Sequence, residues 1–192
     1  MALAKSSFSN HAGFSLLETL VAAGLLATAV ITLAQLFMIS TRSNLSARNT
    51  TYASVLAEQK IEELRALTWG FDSSGLPVTD ITSNTAVNPE EPTGGTGLAP
   101  APEAALQENT PGYVDYVDRF GNKVGTGGAS PPGTAIWTRR WSVTPLPTNP
   151  NNTIILQVLV TANRNRGSAE QGSVRRLPEE ARLITVKTRK AQ

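Results

Sequence analysis

Between Phe14 and Ile39 the chain is apolar almost without interruption, 26 residues with Glu18 as the single charge. A bilayer core needs about 20 such residues as a helix, so this segment is a membrane-span candidate with length to spare for tilt. Lys5 and the amino terminus precede it while Arg42 and Arg48 follow it, so the charge rule sets no firm orientation. Helical spacing continues beyond the apolar run. Ala53, Leu56, Ala57, Ile61, Leu64 and Leu67 recur at the period of one helix face, which predicts a stripe that packs on a sheet. Glu58, Glu62, Glu63 and Arg65 fall mostly off that stripe. One helix over residues 14–68 would be roughly 80 Å long, with an apolar part over 14–40 and an amphipathic part over 41–69. Neighbouring residues on a helix do not face each other, so Glu62 and Glu63 read as a solvated face rather than an acid/base pair.

Trp69-Gly70 ends the helical pattern, as a C-terminal glycine does. Residues 70–112 are rich in Gly, Pro, Ser, Thr and Asn, with Pro89, Pro92, Pro100, Pro102 and Pro111, and predict a long surface loop with at most short local structure. The period then changes to two. Tyr113–Asp118 predicts a short strand, Arg119-Phe120-Gly121-Asn122 a turn, and Ala135–Leu146 a longer strand with Trp137, Trp141 and Val143 on one face. Thr153–Ala162 follows with Ile154, Leu156, Val158 and Val160 on one face, and Ala181–Thr188 with Ile184 and Val186 together. About four strands over 113–192 predict an antiparallel sheet whose apolar face covers the stripe at 53–67, an α+β fold.

Composition narrows the chemistry. The 192 residues contain no Cys and one His, His11, ahead of the apolar run. That excludes a disulfide framework, zinc–thiolate sites and thiol nucleophiles. Without residues 1–13 it also removes Ser-His-Asp and Cys-His catalysis. No catalytic, metal or cofactor constellation emerges, and an enzyme is the last of the readings. The net charge of +2 conceals a segregation. Residues 70–112 carry six acidic and no basic side chains, while 151–192 carry eight Lys/Arg against three Glu. The acidic run lacks the D-x-D-x-D-G spacing of a calcium loop, and the glycines at 94–97 and 125–128 lack the G-K-[ST] ending of a phosphate loop. The basic run lacks the aromatic interleaving of a nucleic-acid surface and fits a guarded sheet edge better, so no nucleic-acid partner is expected. The stretch Trp137-Thr138-Arg139-Arg140-Trp141 fits a cation–π ligand platform or an ordinary strand with its aromatics inside and Arg140 outside.

The amino-terminal run admits two processing readings. As a secretory signal it has an h-region of roughly 14–26 and a small-x-small site at Ala27-Thr28-Ala29, with a product beginning at Val30. Against this, Glu18 falls inside the h-region and the helical pattern runs on without a break. An ionisable group in a membrane helix is a functional hypothesis by default; near the helix end it also snorkels or protonates at little cost. Gly13-Phe14-Ser15-Leu16-Leu17-Glu18, after a short polar leader and before an apolar helix, resembles the type III signal of type IV prepilins and pseudopilins. The resemblance implies a leader at 1–13, cleavage between Gly13 and Phe14 by a prepilin peptidase, and methylation of the new Phe14 amine. It implies that Glu18 pairs with the Phe14 amine of another subunit, a docking key in the shared apolar core. The stretch Ala57–Arg65 resembles the helix of minor pilins of the pilus-modification type and of type II secretion minor pseudopilins.

Long helix, loop, then antiparallel sheet is the pilin architecture that the family implies. Many major pilins have a Pro where this chain has Gln35, and a C-terminal disulfide loop that it lacks. These departures favour a minor pilin that primes or modifies a filament, with a type II secretion minor pseudopilin as the alternative. The implied partners are the peptidase, other pilin subunits and an inner-membrane assembly platform. The implied location is the inner membrane as a single-pass precursor with a periplasmic domain, then the filament. A secreted or tethered ligand-binding protein is the alternative of another class.

Overall fold

The computed structural model describes residues 14–163 and 179–189. The chain divides into two compact units, Met1–Leu45 and Ser46–Gln192. One helix, α1 (Leu16–Ala66), contributes its first part to one and its second part to the other. No proline occurs from 14 to 76 to interrupt it. Ser15 begins it, its Oγ accepting the Glu18 N–H at 3.2 Å. That is the Ser-x-x-Glu arrangement of a helix N-cap.

In the first unit every residue from Phe14 to Leu45 is exposed. The helix there is long and apolar enough to cross a membrane. Its polar side chains are compatible with that. Thr19, Thr28, Thr32 and Thr41 each donate their hydroxyl to a carbonyl three or four residues back, at 2.8–2.9 Å. Such bonds satisfy the hydroxyl without water.

The second unit packs α1 on a five-stranded sheet in the order β4-β3-β5-β6-β7, every neighbouring pair antiparallel. The strands are β3 (Val114–Val117), β4 (Lys123–Val124), β5 (Trp137–Pro145), β6 (Thr153–Ala162) and β7 (Ala181–Thr188). The sequence pattern gives four of them; β4 is two residues long and carries no readable period. Ala53, Leu56, Ala57, Ile61 and Leu64 of α1 meet Trp137, Trp141 and Val143 of β5 and the alternating aliphatics of β6 in one core. Leu67, expected at the end of the helical stripe, is half-buried against it. The other face of β3 is covered too, in a small cluster of Val114, Tyr116 and Ala135.

Two expectations need correction. Ile184 and Val186 do share a face, but it is the outer one, and they are 59% and 55% exposed. Cross-strand partners share a face. Ala181 pairs with Val160 and Leu183 with Val158, so these β7 residues turn inward instead. Residues 70–112 are more than a surface loop. They begin with a hairpin of β1 (Trp69–Phe71) and β2 (Pro77–Thr79) and then send Ala86, Leu98 and Ala105 into the common core. Gly95 permits one crossing: a Cβ there would lie 2.3 Å from the Asn84 backbone.

Two cations of the basic end are tied into the fold. Lys187 donates to the carbonyls of Arg65, at 2.7 Å in the last turn of the helix, and of Leu67 just past its end. Arg189 donates to the carbonyls of Gly70, Val78 and Asn151 and stacks 3.7 Å from the Trp69 ring. These two cations join hairpin, helix end and sheet, rather than simply guarding a solvated edge. Arg164, Arg166, Arg175, Arg176 and Lys190 lie outside the described residues, as does Gly13.

Candidate functional site

Of the residues that the motif singles out, Phe14 and Glu18 are described. Phe14 is exposed and just outside the helix, and Glu18 occupies the first helical turn. A carboxylate there complements the exposed N–H groups and positive end of the helix dipole. Ser15 is thus a further residue of the site, and the Ser15-x-x-Glu18 spacing was the signal for it. The Ser15 bond consumes only the Glu18 backbone N–H. The described residues give the carboxylate no ion-pair partner within the chain. A local cap and an available carboxylate therefore coexist at one helix end.

A second cluster of ionisable groups lies in the core of the second unit. Lys60 Nζ stands 2.9 Å from Asp115 Oδ2 and 3.0 Å from Glu63 Oε2, and donates to the Thr85 carbonyl at 2.7 Å. Its fourth side is the face of Trp141, 4.0 Å from the ring centroid. Arg139 grips Asp115 with both arms, Nε–Oδ1 2.7 Å and Nη2–Oδ2 2.8 Å, and reaches the Leu56 carbonyl of α1. Lys123 closes the set on Glu63 at 3.1 Å and on Glu90 at 3.3 Å.

Three cations and three carboxylates thereby balance. Burial alone would raise the Asp115 carboxyl, but the Lys60 ammonium and the Arg139 guanidinium outweigh it and hold Asp115 below the ordinary aspartate value. Burial pulls the Lys60 ammonium below the ordinary lysine value, with Asp115 and Glu63 opposing. Lys60, Asp115 and Arg139 come from α1, β3 and β5, so the cluster fixes helix to sheet in one register. Its chemistry is charge satisfaction, with Lys60, Asp115 and Arg139 buried and Glu63, Lys123 and Glu90 reaching the surface.

The chain matches no family model, and no curated protein or solved structure matches it significantly.

The Trp137–Trp141 stretch is no surface platform. Both tryptophans are in the core, Arg139 belongs to the ion cluster, and Arg140 is 5% exposed. Arg140 does turn to the other face, but it is buried there, and its Nε donates to Asn109 Oδ1 at 2.9 Å. The expectation of an outside Arg140 is corrected by that burial. Glu63 likewise is no solvated carboxylate, whereas Glu62 is exposed beside Arg65 at 2.8 Å. In the acidic segment Asp72 and Asp80 use a carboxylate oxygen to accept backbone N–H groups of their own turns, at 2.8–3.1 Å. Asp80 is held below its ordinary value: burial would raise it, and bonds from Ser83 and Thr82 win. These acids organise turns.

Proposed function

We propose that the chain is a minor type IV pilin, a structural subunit processed between Gly13 and Phe14 and docked through its apolar helix. The observation that carries the reading is the junction at residues 13–18. A glycine, an aromatic, a capping serine and a first-turn glutamate lead into a helix whose first thirty residues are all exposed. So large an apolar surface needs another cover, from lipid or from the same helix of neighbouring subunits.

Cleavage after Gly13 creates a positive amine on Phe14. In a bundle of such helices Glu18 of one subunit meets that amine on another. An uncompensated carboxylate in an apolar core is costly, and pairing it relieves the cost and specifies one register. Burial of the Trp/Arg strand takes away one of the two features on which a ligand-binding protein would rest, the other being the acidic segment 70–112. The type II secretion pseudopilin remains a variant of the same docking chemistry in a different filament.

The Glu18→Ala variant tests this. It keeps a helix of full apolar length, so it inserts in the membrane and is processed as the parent chain is. Its amount in sheared filaments falls at least tenfold, measured by immunoblot against the cell-bound pool. Incorporation at the parental level would remove the docking role from Glu18.

A further inference from the structure

We infer that the second unit docks on an anionic lipid surface by the end at which α1 enters it, Arg48 and Arg119 meeting lipid phosphates and the Phe120 ring entering the boundary between headgroups and acyl chains. The docking rests on the membrane-anchored part of the proposed function. Three contacts define that end. Asn49 of α1 donates to Glu179 Oε1 at 2.7 Å, just ahead of β7. The Tyr52 ring packs 5.8 Å from the Trp137 ring, at the start of β5. Val117 pairs with Trp137, so the turn between β3 and β4 lies there too.

That turn presents its tip rigidly. Asp118 Oδ1 accepts the N–H of Phe120 at 2.8 Å and of Asn122 at 2.9 Å, and Oδ2 accepts the Asn122 side-chain amide at 3.2 Å. Gly121 has φ 92° and lies against helix α1, where a Cβ would come within 3.1 Å of the Tyr52 hydroxyl. The turn therefore holds the Phe120 ring out in water, 78% exposed, with the Arg119 guanidinium 5.6 Å from its centroid. Arg48 precedes Tyr52 by one helical turn and shares its side of α1. Two guanidinium groups and an aromatic ring thus stand at one end of the unit.

Charge selects the partner. Arg48 and Arg119 are exposed and have no ion-pair or hydrogen-bond partner among the described residues. Every other lysine and arginine described in the second unit is engaged with a carboxylate, a side-chain amide or a main-chain carbonyl. From Ser40 to Ala57 the chain holds Arg42 and Arg48 and no acidic residue; the exposed carboxylates Glu58 and Glu62 come farther along α1. The Asp118 and Glu179 carboxylates are already used, by the turn and by Asn49. Position supplies the surface. Ser46, where the second unit begins, follows Ile39, the end of the apolar run, by seven residues. Seven residues span no more than about 25 Å even fully extended, so a membrane that holds the apolar run keeps Arg48 within reach of its headgroups. Guanidinium groups fork onto phosphate, each cation near an anionic leaflet adds about fivefold in affinity, and an aromatic ring settles at the same depth. A second copy brought up by the same end presents the same unpaired arginines, and like charges oppose it.

Phe120→Trp in the full chain reports the docking. The chain is placed in lipid nanodiscs of phosphatidylcholine, with or without phosphatidylglycerol, whose acyl chains are brominated just below the headgroups. The parent chain in the same discs gives the contribution of Trp69, Trp137 and Trp141. Bromolipid quenching of the added tryptophan is expected to be at least threefold greater with phosphatidylglycerol. Arg48→Gln together with Arg119→Gln brings it down to the phosphatidylcholine level; both side chains are exposed, and an unchanged melting temperature verifies the fold. Equal quenching in the two lipids, or a phosphatidylglycerol effect that survives the double variant, overturns the docking. So does protection from aqueous acrylamide without bromolipid quenching, since a protein surface would then cover the ring. Co-elution of the chain with the discs is scored in every sample. A chain that co-elutes without composition-dependent quenching overturns the docking alone and leaves the pilin reading in place. A chain that fails to enter the discs removes the anchor on which both rest.

Discussion

The Asp115→Ala variant is expected to lose about 3–5 kcal/mol of stability, because removing one member of a buried ion cluster strands its partners. Asp115 is the central anion: Lys60 stands at 2.9 Å and Arg139 at 2.7 Å from its two oxygens. Without it, two buried cations share Glu63, which already serves Lys123. Lys60→Met is expected to cost much less. Arg139 still neutralises Asp115, Lys123 still neutralises Glu63 and still donates to the Thr85 carbonyl at 2.9 Å, and a methionine fills most of the vacated volume. Urea titration of the full chain in detergent, followed by near-ultraviolet circular dichroism, measures both. An Asp115→Ala loss below about 1 kcal/mol, the range of exposed pairs, would contradict the account.

The same carboxylate sets the acid limit. Its folded value lies below the ordinary 3.8. Proton linkage then makes its contribution fully present above pH 3.8 and lost as pH falls from there through the folded value. Asp80 and Asp118 are shifted in the same direction and titrate in the same window. The melting temperature should therefore change little on this account from neutrality to about pH 4 and fall steeply below it.

Trp141→Ala is expected to be comparably damaging, about 3–5 kcal/mol by loss of a large core side chain. Trp141 is 1% exposed, its ring supports Lys60 at 4.0 Å, and Tyr113 packs on it at 6.5 Å between centroids. Alanine opens a cavity and also leaves the Lys60 ammonium facing it. Trp141→Phe should cost less than half as much. It keeps an aromatic face near the ammonium and removes an indole N–H that has no hydrogen-bond partner among the described residues. Equal losses for the two variants in the same urea titration would mean that the aromatic face under Lys60 contributes nothing.

Where a side chain repeats with one period against one neighbour, the sequence was sufficient. The apolar run from Phe14, the stripe at Ala53–Leu64, and strands β5 and β6 all follow from hydrophobic spacing. The turn at Arg119–Asn122 was legible for a similar local reason, since the bonds that Asp118 accepts from it span only two to four residues. What escaped depends on pairing across distance. Lys60 falls within the helical stripe and reads as an ordinary surface lysine until Asp115 and Arg139 arrive from β3 and β5. An aspartate inside the apolar run Tyr113–Val117, with an arginine between two tryptophans, was the available sign. Period two could not say which face of β7 turns inward, because Leu183 and Ile184 are both apolar and only the pairing with β6 decides. The prolines of 70–112 read as breaks in regular structure, which they are, but irregular backbone still delivered Leu98 and Ala105 to the core. At the helix start the sequence motif and the local geometry meet in Ser15 and Glu18, while the proposed partner of Glu18 belongs to another chain.

The most direct test of the proposed processing is the amino terminus of the mature chain, read by mass spectrometry from cells with an active prepilin peptidase. The account predicts a chain that begins at Phe14 and carries one added methyl group. A chain beginning at Val30, or one that retains Met1 in those cells, would contradict it.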